Sequence, residues 1–136
     1  MGVEFVDTNT VIYSLGEDAT KRRKALAILA GKPIVSIQVL NETANTMRRK
    51  LDFDIPAIRR FLMDLMQESR VHPITPTTVL AALTIAERYG FSHYDSLIVA
   101  TAIDAGCDML YSEDMQHGQI IDNRLTVINP FRSRVG

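Results

Sequence analysis

Four acidic residues stand at positions where a carboxylate could do chemistry. Asp7 and Asp114 each close a short apolar run that favours a β-strand. Carboxylates at the carboxyl ends of parallel strands lie where open α/β sheets bind their ligands. Glu42 belongs to a predicted amphipathic helix, and Asp95 begins a helix that is apolar on nearly every side. The four acids are far apart in sequence, so any shared site must be built by the fold.

The predicted fold would bring these acids together. In a parallel sheet the carboxyl ends of the strands share one edge, and the mutual repulsion of acids gathered there must be relieved. Proton sharing would raise some pKa values, and a divalent cation would relieve the repulsion more simply. Ligands that are all oxygen favour Mg²⁺ or Mn²⁺ over zinc. Such ions activate water and stabilise a phosphoryl group during in-line displacement. The candidates for both catalysis and metal binding are Asp7, Glu42, Asp95 and Asp114.

Each of these acids also has an ordinary structural explanation. Residues 7–9 are all good N-cap types for a short helix, and Ser92 with Asp95 matches a capping box. Glu42 has no Lys or Arg four residues away in either direction, so no i,i+4 ion pair accounts for it, although an exposed glutamate is common. Taken singly, these positions do not distinguish a helix cap from a catalytic group.

The elements that must position the acids alternate along the chain. This order predicts an α/β fold: three layers, α/β/α, around a central parallel sheet of four to five strands, in a single domain over residues 1–136. Strands are predicted at residues 3–6, 34–37, 71–75, 109–111 and 125–128, the last of them at an edge. Helices are predicted at residues 10–15, 19–30 and 39–50, and then from Pro56, from Pro76 to Gly90 and from Ser92 to Gly106.

Composition narrows the class of protein. There is no apolar run long enough to span a membrane and no signal-peptide pattern, so we expect a cytoplasmic protein without a membrane partner. Cys107 is the only cysteine, which excludes an internal disulfide and a cysteine-based zinc site, and a buried thiol is the expected role. The three histidines are scattered without the spacing of metal ligands.

Charge is distributed unevenly along the chain. The net charge of −1 argues against a strongly basic nucleic-acid binder. Residues 21–60, however, carry ten Lys or Arg against three Asp or Glu, a net of +7, and the remaining residues carry a net of −8. Such a division suits a protein that holds a polyanion with one part and metal ions with another, although two solvated helix faces would give the same pattern.

Together these residues resemble the PIN-domain ribonucleases, and in particular the VapC toxins of VapBC toxin–antitoxin pairs. The resemblance covers residues 3–130. It implies that the four acids bind Mg²⁺ or Mn²⁺, and that Thr8, Asn9 and Ser112 support them. Glu113 adjoins the fourth acid and could compete for its role. The motifs that carry the resemblance are Asp7-Thr8-Asn9, Val39-Leu40-Asn41-Glu42, Tyr94-Asp95-Ser96 and Ser112-Glu113-Asp114.

The resemblance also implies RNA cleavage by metal-activated water, a homodimer and inhibition by a small antitoxin protein. The cationic helices are candidates for holding the RNA backbone, or for meeting an acidic segment of the antitoxin. The candidate residues for binding substrate are Lys21, Arg22, Arg23, Lys24, Arg48 and Arg49.

Two other classes of function fit parts of the pattern. Receiver domains and haloacid-dehalogenase-type phosphatases have a similar topology, but both use a lysine late in the chain, and the last lysine here is Lys50. Neither a Walker A loop nor a G-x-G-x-x-G motif occurs. The other alternative is a non-catalytic RNA- or protein-binding module on the same α/β fold, in which the acids only cap helices. That alternative predicts that Asp95→Asn leaves function intact.

Overall fold

The computed structural model describes residues 3–132, in which strands and helices alternate as predicted. None of the helices in this part of the chain has the length and apolar character that crossing a bilayer requires. The strands are β1 (Glu4–Val6), β2 (Ile34–Ser36), β3 (Arg70–His72), β4 (Met109–Tyr111), β5 (Ile120–Ile121) and β6 (Leu125–Ile128). The helices are α1 (Thr8–Tyr13), α2 (Ala19–Ala30), α3 (Ile37–Arg49), α4 (Ile55–Glu68), α5 (Pro76–Tyr89) and α6 (His93–Asp104).

The strands form one sheet in the order β3-β2-β1-β4-β6-β5. β1 is parallel to β2 on one side and to β4 on the other, and the pairs β2–β3 and β4–β6 are also parallel. The chain therefore moves outward from β1 through β2 and β3, and then continues on the other side of β1 with β4. This reversal creates a crevice at the carboxyl ends of β1 and β4, where α/β sheets bind ligands. The predicted three-layer α/β/α class is confirmed.

The sheet has one strand more than the four to five that were predicted. β5 pairs antiparallel with β6, so β6 lies inside the sheet and the prediction that it forms an edge is wrong. A tight turn joins the two strands, with positive φ at Asp122 (52°) and Asn123 (55°), residue types that tolerate this conformation. Two residues are too few to show the alternation by which a strand is predicted, and β5 was missed for that reason.

Two helices begin two residues earlier than predicted, because side chains at the ends of strands cap them. α1 starts at Thr8, directly after Asp7, whose side chain accepts the first helical N–H. α3 starts at Ile37, since the hydroxyl of Ser36 accepts the N–H of Val39 at 3.2 Å. In both cases the chain passes from strand to helix almost without a loop. Polar groups at the ends of β1 and β2 are therefore held rigidly at the edge of the sheet.

The third strand is also shorter than the predicted range 71–75. It ends at His72, and the chain leaves the sheet at Pro73, which has no N–H for the next ladder bond. Thr75 then caps α5, and Gly90 ends that helix with φ 73°, as predicted. The range predicted for α2, residues 19–30, is confirmed.

The main core cluster joins the sheet to α6 and also contains buried residues of α1, α3, α4 and α5. All residues from 96 to 102 are buried, which confirms the prediction of a central helix that is apolar on nearly every side. Ile98 and Val99 pack in one cluster with Phe5 of β1 and Leu110 of β4. The thiol of Cys107 is free and buried, and burial raises its pKa to about 11. Because α6 is fixed in the core, its first turn is held at the carboxyl edge of the sheet.

Candidate active site

Asp7 lies at the end of β1 and is 6% exposed. One carboxylate oxygen accepts the backbone N–H of Thr8 at 2.7 Å, and the other accepts the hydroxyl of Ser112, from the residue after β4, at 3.1 Å. The residue is therefore a helix cap, as its type suggested, and it is also tied across the crevice between the two strands. Capping and participation in a shared site do not exclude each other here.

The environment of Asp7 disfavours its charged form. The pKa of Asp7 is raised from 3.8 to about 6 as the net of opposing effects: burial raises it, the hydrogen bonds from Thr8 and Ser112 lower it, and the nearby carboxylates of Glu42 and Asp114 raise it. Desolvation is the largest of these effects. A cation close to the carboxylate would lower the pKa of Asp7 and favour its charged form.

Glu42 comes from the second turn of α3 and is connected to the same edge. The hydroxyl of Thr8 donates to its carboxylate at 2.8 Å, and the side-chain amide of Gln38 lies 3.5 Å from the same oxygen. That amide also donates to the backbone carbonyl of Tyr94 at 3.2 Å, which joins α3 to the start of α6. Sequence reasoning missed Gln38; its position four residues before Glu42 is the signal that could have identified it.

Asp95 lies in the first turn of α6. Its backbone N–H donates to the hydroxyl of Ser92 at 3.2 Å, so within residues 3–132 one half of the predicted capping box is formed. Burial raises the pKa of the Asp95 carboxyl, a side-chain hydrogen bond with Ser92 lowers it, and the charge of Asp114 raises it. This effect of the Asp114 charge on Asp95 is the one expected of acids that share one site.

Asp114 is exposed, and its position is fixed by Asn9, whose side-chain amide donates to its carboxylate at 3.0 Å. Glu113, the predicted competitor, has other partners. The hydroxyl of Tyr13 donates to one of its carboxylate oxygens, and the ammonium of Lys21 lies 3.5 Å from the other. Glu113 is thereby held against α1 and α2, and Asp114 is the member of the pair that faces the other acids.

All four predicted acids line one small cavity of about 160 Å³. They are carried by four different parts of the fold: the end of β1, the segment that follows β4, the second turn of α3 and the first turn of α6. Thr8, Asn9 and Gln38 also line the cavity, and neither lysine nor arginine is among its lining residues. Within the described part of the chain, the structure therefore gathers carboxylates around a common space without a lysine or arginine in its lining to neutralise them.

The donor chemistry of this cavity fits a hard divalent cation. Every strong donor in it is an oxygen, and the most deeply buried carboxyl, that of Asp7, is one whose charge the protein itself disfavours. Within residues 3–132 no group of three Asp, Glu, His or Cys side chains is already arranged to hold a metal ion. The acids thus surround the cavity and do not form a closed coordination shell.

The predicted cations lie outside the cavity. Lys21 is engaged with Glu113 and with the face of the Tyr13 ring, whose centroid is 4.4 Å from its nitrogen. Arg49 is exposed and lies seven residues after Glu42, on the same face of α3 and about 10 Å further along its axis. Among the described residues that line the cavity, none belongs to the predicted set of Lys21, Arg22, Arg23, Lys24, Arg48 and Arg49.

Comparison with known families identifies the class of protein. The model of the PIN domain matches residues 5–120, a range that contains all four acids, and the chain belongs to this family. The family proposed from the sequence motifs is therefore confirmed. A search of curated proteins gave no significant match.

Solved structures with the same fold include a toxin and a toxin–antitoxin complex. A toxin–antitoxin complex from Klebsiella pneumoniae matches with a TM-score of 0.71 and 19% identity, covering 96% of this chain and 99% of that chain. FitAcB from Neisseria gonorrhoeae gives 0.70 and 16%, with 96% and 100% covered. VapC20 from Mycobacterium tuberculosis, described as a sarcin–ricin-loop-cleaving toxin, gives 0.62 and 20%, with 82% and 89% covered. At these identities the likeness shows the fold.

Proposed function

We propose that this chain is a divalent-metal-dependent ribonuclease and the toxin of a type II toxin–antitoxin pair. The observation that carries the proposal is the cavity lined by four carboxylates from four elements, without a lysine or arginine among its lining residues. Helix caps do not need to converge, whereas ligands of a shared cation do. The family match and the fold shared with VapC20 support nuclease activity in preference to a purely structural role for the acids.

In this proposal Asp7, Glu42, Asp95 and Asp114 hold Mg²⁺ or Mn²⁺. The ion, when bound, supplies an activated water and stabilises charge on the scissile phosphodiester. The chain's own polar residues keep the carboxylates in place through their hydrogen bonds, since Ser112 holds Asp7 by its hydroxyl.

Two further bonds serve the same purpose for the other acids. The hydroxyl of Thr8 holds Glu42, and the amide of Asn9 holds Asp114. Such supporting bonds fix the orientation of ligands that would otherwise move apart under their own repulsion. Cleavage then depends on the positions of the acids and on the negative charge that they carry.

The proposal is tested by cleavage of a fluorescent single-stranded RNA. We expect cleavage with Mg²⁺ or Mn²⁺, none in EDTA, and loss of cleavage in Asp95→Asn. The matched control is Asp64→Asn, which removes an exposed carboxylate on α4 that does not line the cavity, and it should cleave normally. Cleavage by wild type in EDTA would reject the metal mechanism. Failure to cleave any RNA tested, together with RNA binding that Asp95→Asn does not change, would favour the non-catalytic binding module.

An antitoxin and a homodimer are part of the same proposal. The antitoxin is supported by the structural neighbour from Klebsiella pneumoniae, which is itself a toxin–antitoxin complex. The homodimer is supported by apolar side chains on one face of α5, with Val79 38%, Leu80 65% and Leu83 51% exposed. Light scattering of the purified chain and of its Leu80→Lys variant tests the dimer, and co-purification with the product of an adjacent reading frame tests the antitoxin.

A further inference from the structure

A second concave surface, of about 430 Å³, lies between α2 and residues 129–132. We call it the α2 groove and define it by four of its hydrogen-bond donor residues, Lys24, His117, Asn129 and Arg132. Among residues 3–132, neither an aspartate nor a glutamate lines it. Ile28 and the ring of Tyr111 form part of its apolar wall.

The neutral residues of the α2 groove are held so that they present donors. The backbone N–H of Asn129 donates to Nδ1 of His117 at 3.0 Å, so the proton of the neutral imidazole is on Nε2. The side-chain oxygen of Asn129 accepts the N–H of Phe131 at 2.9 Å, which leaves the two amide protons of Asn129 unused by that bond. Both side chains therefore have their acceptor atoms occupied by the backbone and their donors left over.

The two cations of the α2 groove differ from Lys21, which is paired with Glu113. Within residues 3–132 neither Lys24 nor Arg132 forms an ion pair with a carboxylate. A surface that combines an ammonium, a guanidinium, an imidazole N–H and an amide, without a carboxylate, fits an anion. Phosphate is the anion that such fixed donors recognise best, because it has several acceptor oxygens.

The α2 groove is close to the acid-lined cavity. Asp114 lines the cavity and His117 lines the groove, and the two are three positions apart in sequence, so their Cα atoms are at most about 11 Å apart. On α2, Lys24 lies three residues after Lys21, which contacts the side chain next to Asp114. A single extended polyanion could occupy both sites.

We propose that the α2 groove binds a backbone phosphate of the RNA strand whose scissile phosphodiester lies in the acid-lined cavity. This inference rests on the proposed ribonuclease function. The acids of the cavity repel an RNA backbone until a cation is bound, so attraction of the strand has to come from another surface. The α2 groove supplies that attraction, with the ring of Tyr111 available to a neighbouring base.

The experiment measures binding separately from cleavage. A short fluorescent single-stranded RNA is titrated in EDTA with wild type and with Lys24→Gln/Arg132→Gln, at several salt concentrations. We expect affinity to fall about tenfold at low salt, and the slope of log affinity against log salt to decrease by about 0.7 for each phosphate that is no longer bound. The matched control, Arg59→Gln/Arg60→Gln, removes the same charge from an exposed part of α4 outside the groove and should change binding little.

A second variant adds a charge and leaves the side chains of the four donors in place. Ala27 is exposed and lines the groove, so Ala27→Glu places a carboxylate among the donors while keeping a good helix former. It should also weaken RNA binding, and circular dichroism should show an unchanged fold. Equal binding by wild type, by Ala27→Glu and by both double variants, with metal-dependent cleavage retained, would overturn the groove assignment alone.

Two further outcomes are decisive. Absence of both RNA binding and RNA cleavage in wild type would overturn the proposed function, and the groove assignment with it. If Lys24→Gln/Arg132→Gln binds RNA normally but loses affinity for polyglutamate, the groove holds an acidic peptide and the RNA assignment is wrong.

Discussion

The acid-lined cavity and the α2 groove border the same loop, residues 112–119, and have opposite chemistry. The cavity gathers four carboxylates, and the groove gathers hydrogen-bond donors without a carboxylate. Within the described residues, Lys21 is paired with Glu113, which adjoins the fourth acid in sequence. Lys21 does not line the cavity. The two charge types are therefore kept apart although they are close in space.

This separation has a physical reason. A lysine among the four acids would neutralise them and compete with a metal ion for the same oxygens. A carboxylate in the groove would pair with Lys24 or Arg132 and reduce the attraction for an anion. The cavity can hold a cation only if lysine and arginine are kept out of it, and the groove can hold an anion only if carboxylates are kept out of it. The net charge of −1 conceals this arrangement, because it sums over both regions.

The largest effect is expected for Asp7→Asn, which should act on activity and on stability in opposite directions. Cleavage should fall by more than about a hundredfold, because a buried carboxylate that we propose as a metal ligand loses its charge. The pKa of Asp7 is about 6 in the folded chain against 3.8 for the free group, so its ionised form costs stability above pH 6 and costs nothing below about pH 4. Without metal, the variant should be more stable at pH 7 by about 3 kcal/mol, and this gain should disappear toward pH 4.

Thermal unfolding across that pH range checks the prediction, and the expected shift in Tm at pH 7 is several degrees. Mg²⁺ should raise the Tm of wild type and have a smaller effect on Asp7→Asn. Asp64→Asn serves as the control, since its carboxylate is exposed. A stability difference between wild type and Asp7→Asn that stays constant from pH 4 to pH 7 would contradict the direction of the Asp7 pKa, because a lost hydrogen bond alone changes stability without this pH dependence.

The next effect is expected at Thr8, whose hydroxyl holds Glu42 at 2.8 Å. Thr8→Val keeps the shape of the side chain and removes the bond, so the activity or the apparent affinity for Mn²⁺ should fall by about ten- to a hundredfold. Thr8→Ser restores the hydroxyl and should restore most of the activity. Equal activity of the Val and Ser variants would show that Glu42 does not depend on this bond.

The separation of charges can be broken directly at Thr46. This residue lines the cavity four residues after Glu42, so Thr46→Lys introduces an i,i+4 ion pair and a cation beside the acids. We expect the Mg²⁺ concentration for half-maximal cleavage to rise by about tenfold. Gln67→Lys adds the same charge at an exposed position of α4 that does not line the cavity, and should change the requirement little. Similar effects of the two variants would indicate a general change of charge and not competition within the cavity.

The smallest effect is expected at Glu113. Its partners are Tyr13 and Lys21, and Gln can still accept the tyrosine hydroxyl, so Glu113→Gln should reduce cleavage by less than about fivefold. Asp114→Asn, one residue later, should cause a much larger loss. The reverse order of the two losses in the same cleavage assay would assign the fourth acid to Glu113.

Much of the fold follows from local patterns in the sequence. Apolar runs that end in Asp7 and Ser36 gave the first two strands, and the buried helix after Ser92 was evident from its composition. The errors occurred where local patterns were short or had two interpretations. β5 has only two residues. β1 and β2 pass directly into helices, and the residues that cap those helices, Asp7 and Ser36, are of types that also favour loops.

The same reasoning predicted the candidate site only in part. The types and order of the four acids indicated a metal chemistry, but their convergence on one cavity depended on strand order, which no local pattern contains. Gln38 was missed because its significance comes from its contacts with Glu42 and Tyr94. Lys21 was grouped with the RNA-binding cations, whereas its contacts are with Glu113 and Tyr13.

The sequence alone determined which chemistry is available: carboxylates after strands and at helix starts, a cationic stretch, and neither cysteine nor histidine in ligand spacing. Tertiary structure decided which of these groups share a space, that Asp114 and not Glu113 faces the other acids, and that Lys24, His117, Asn129 and Arg132 form one donor-lined groove. The reason is that side-chain types and helix caps are local properties of the chain. Burial and long-range pairing, which set the pKa of Asp7 and the partner of Lys21, exist only after distant segments have packed together.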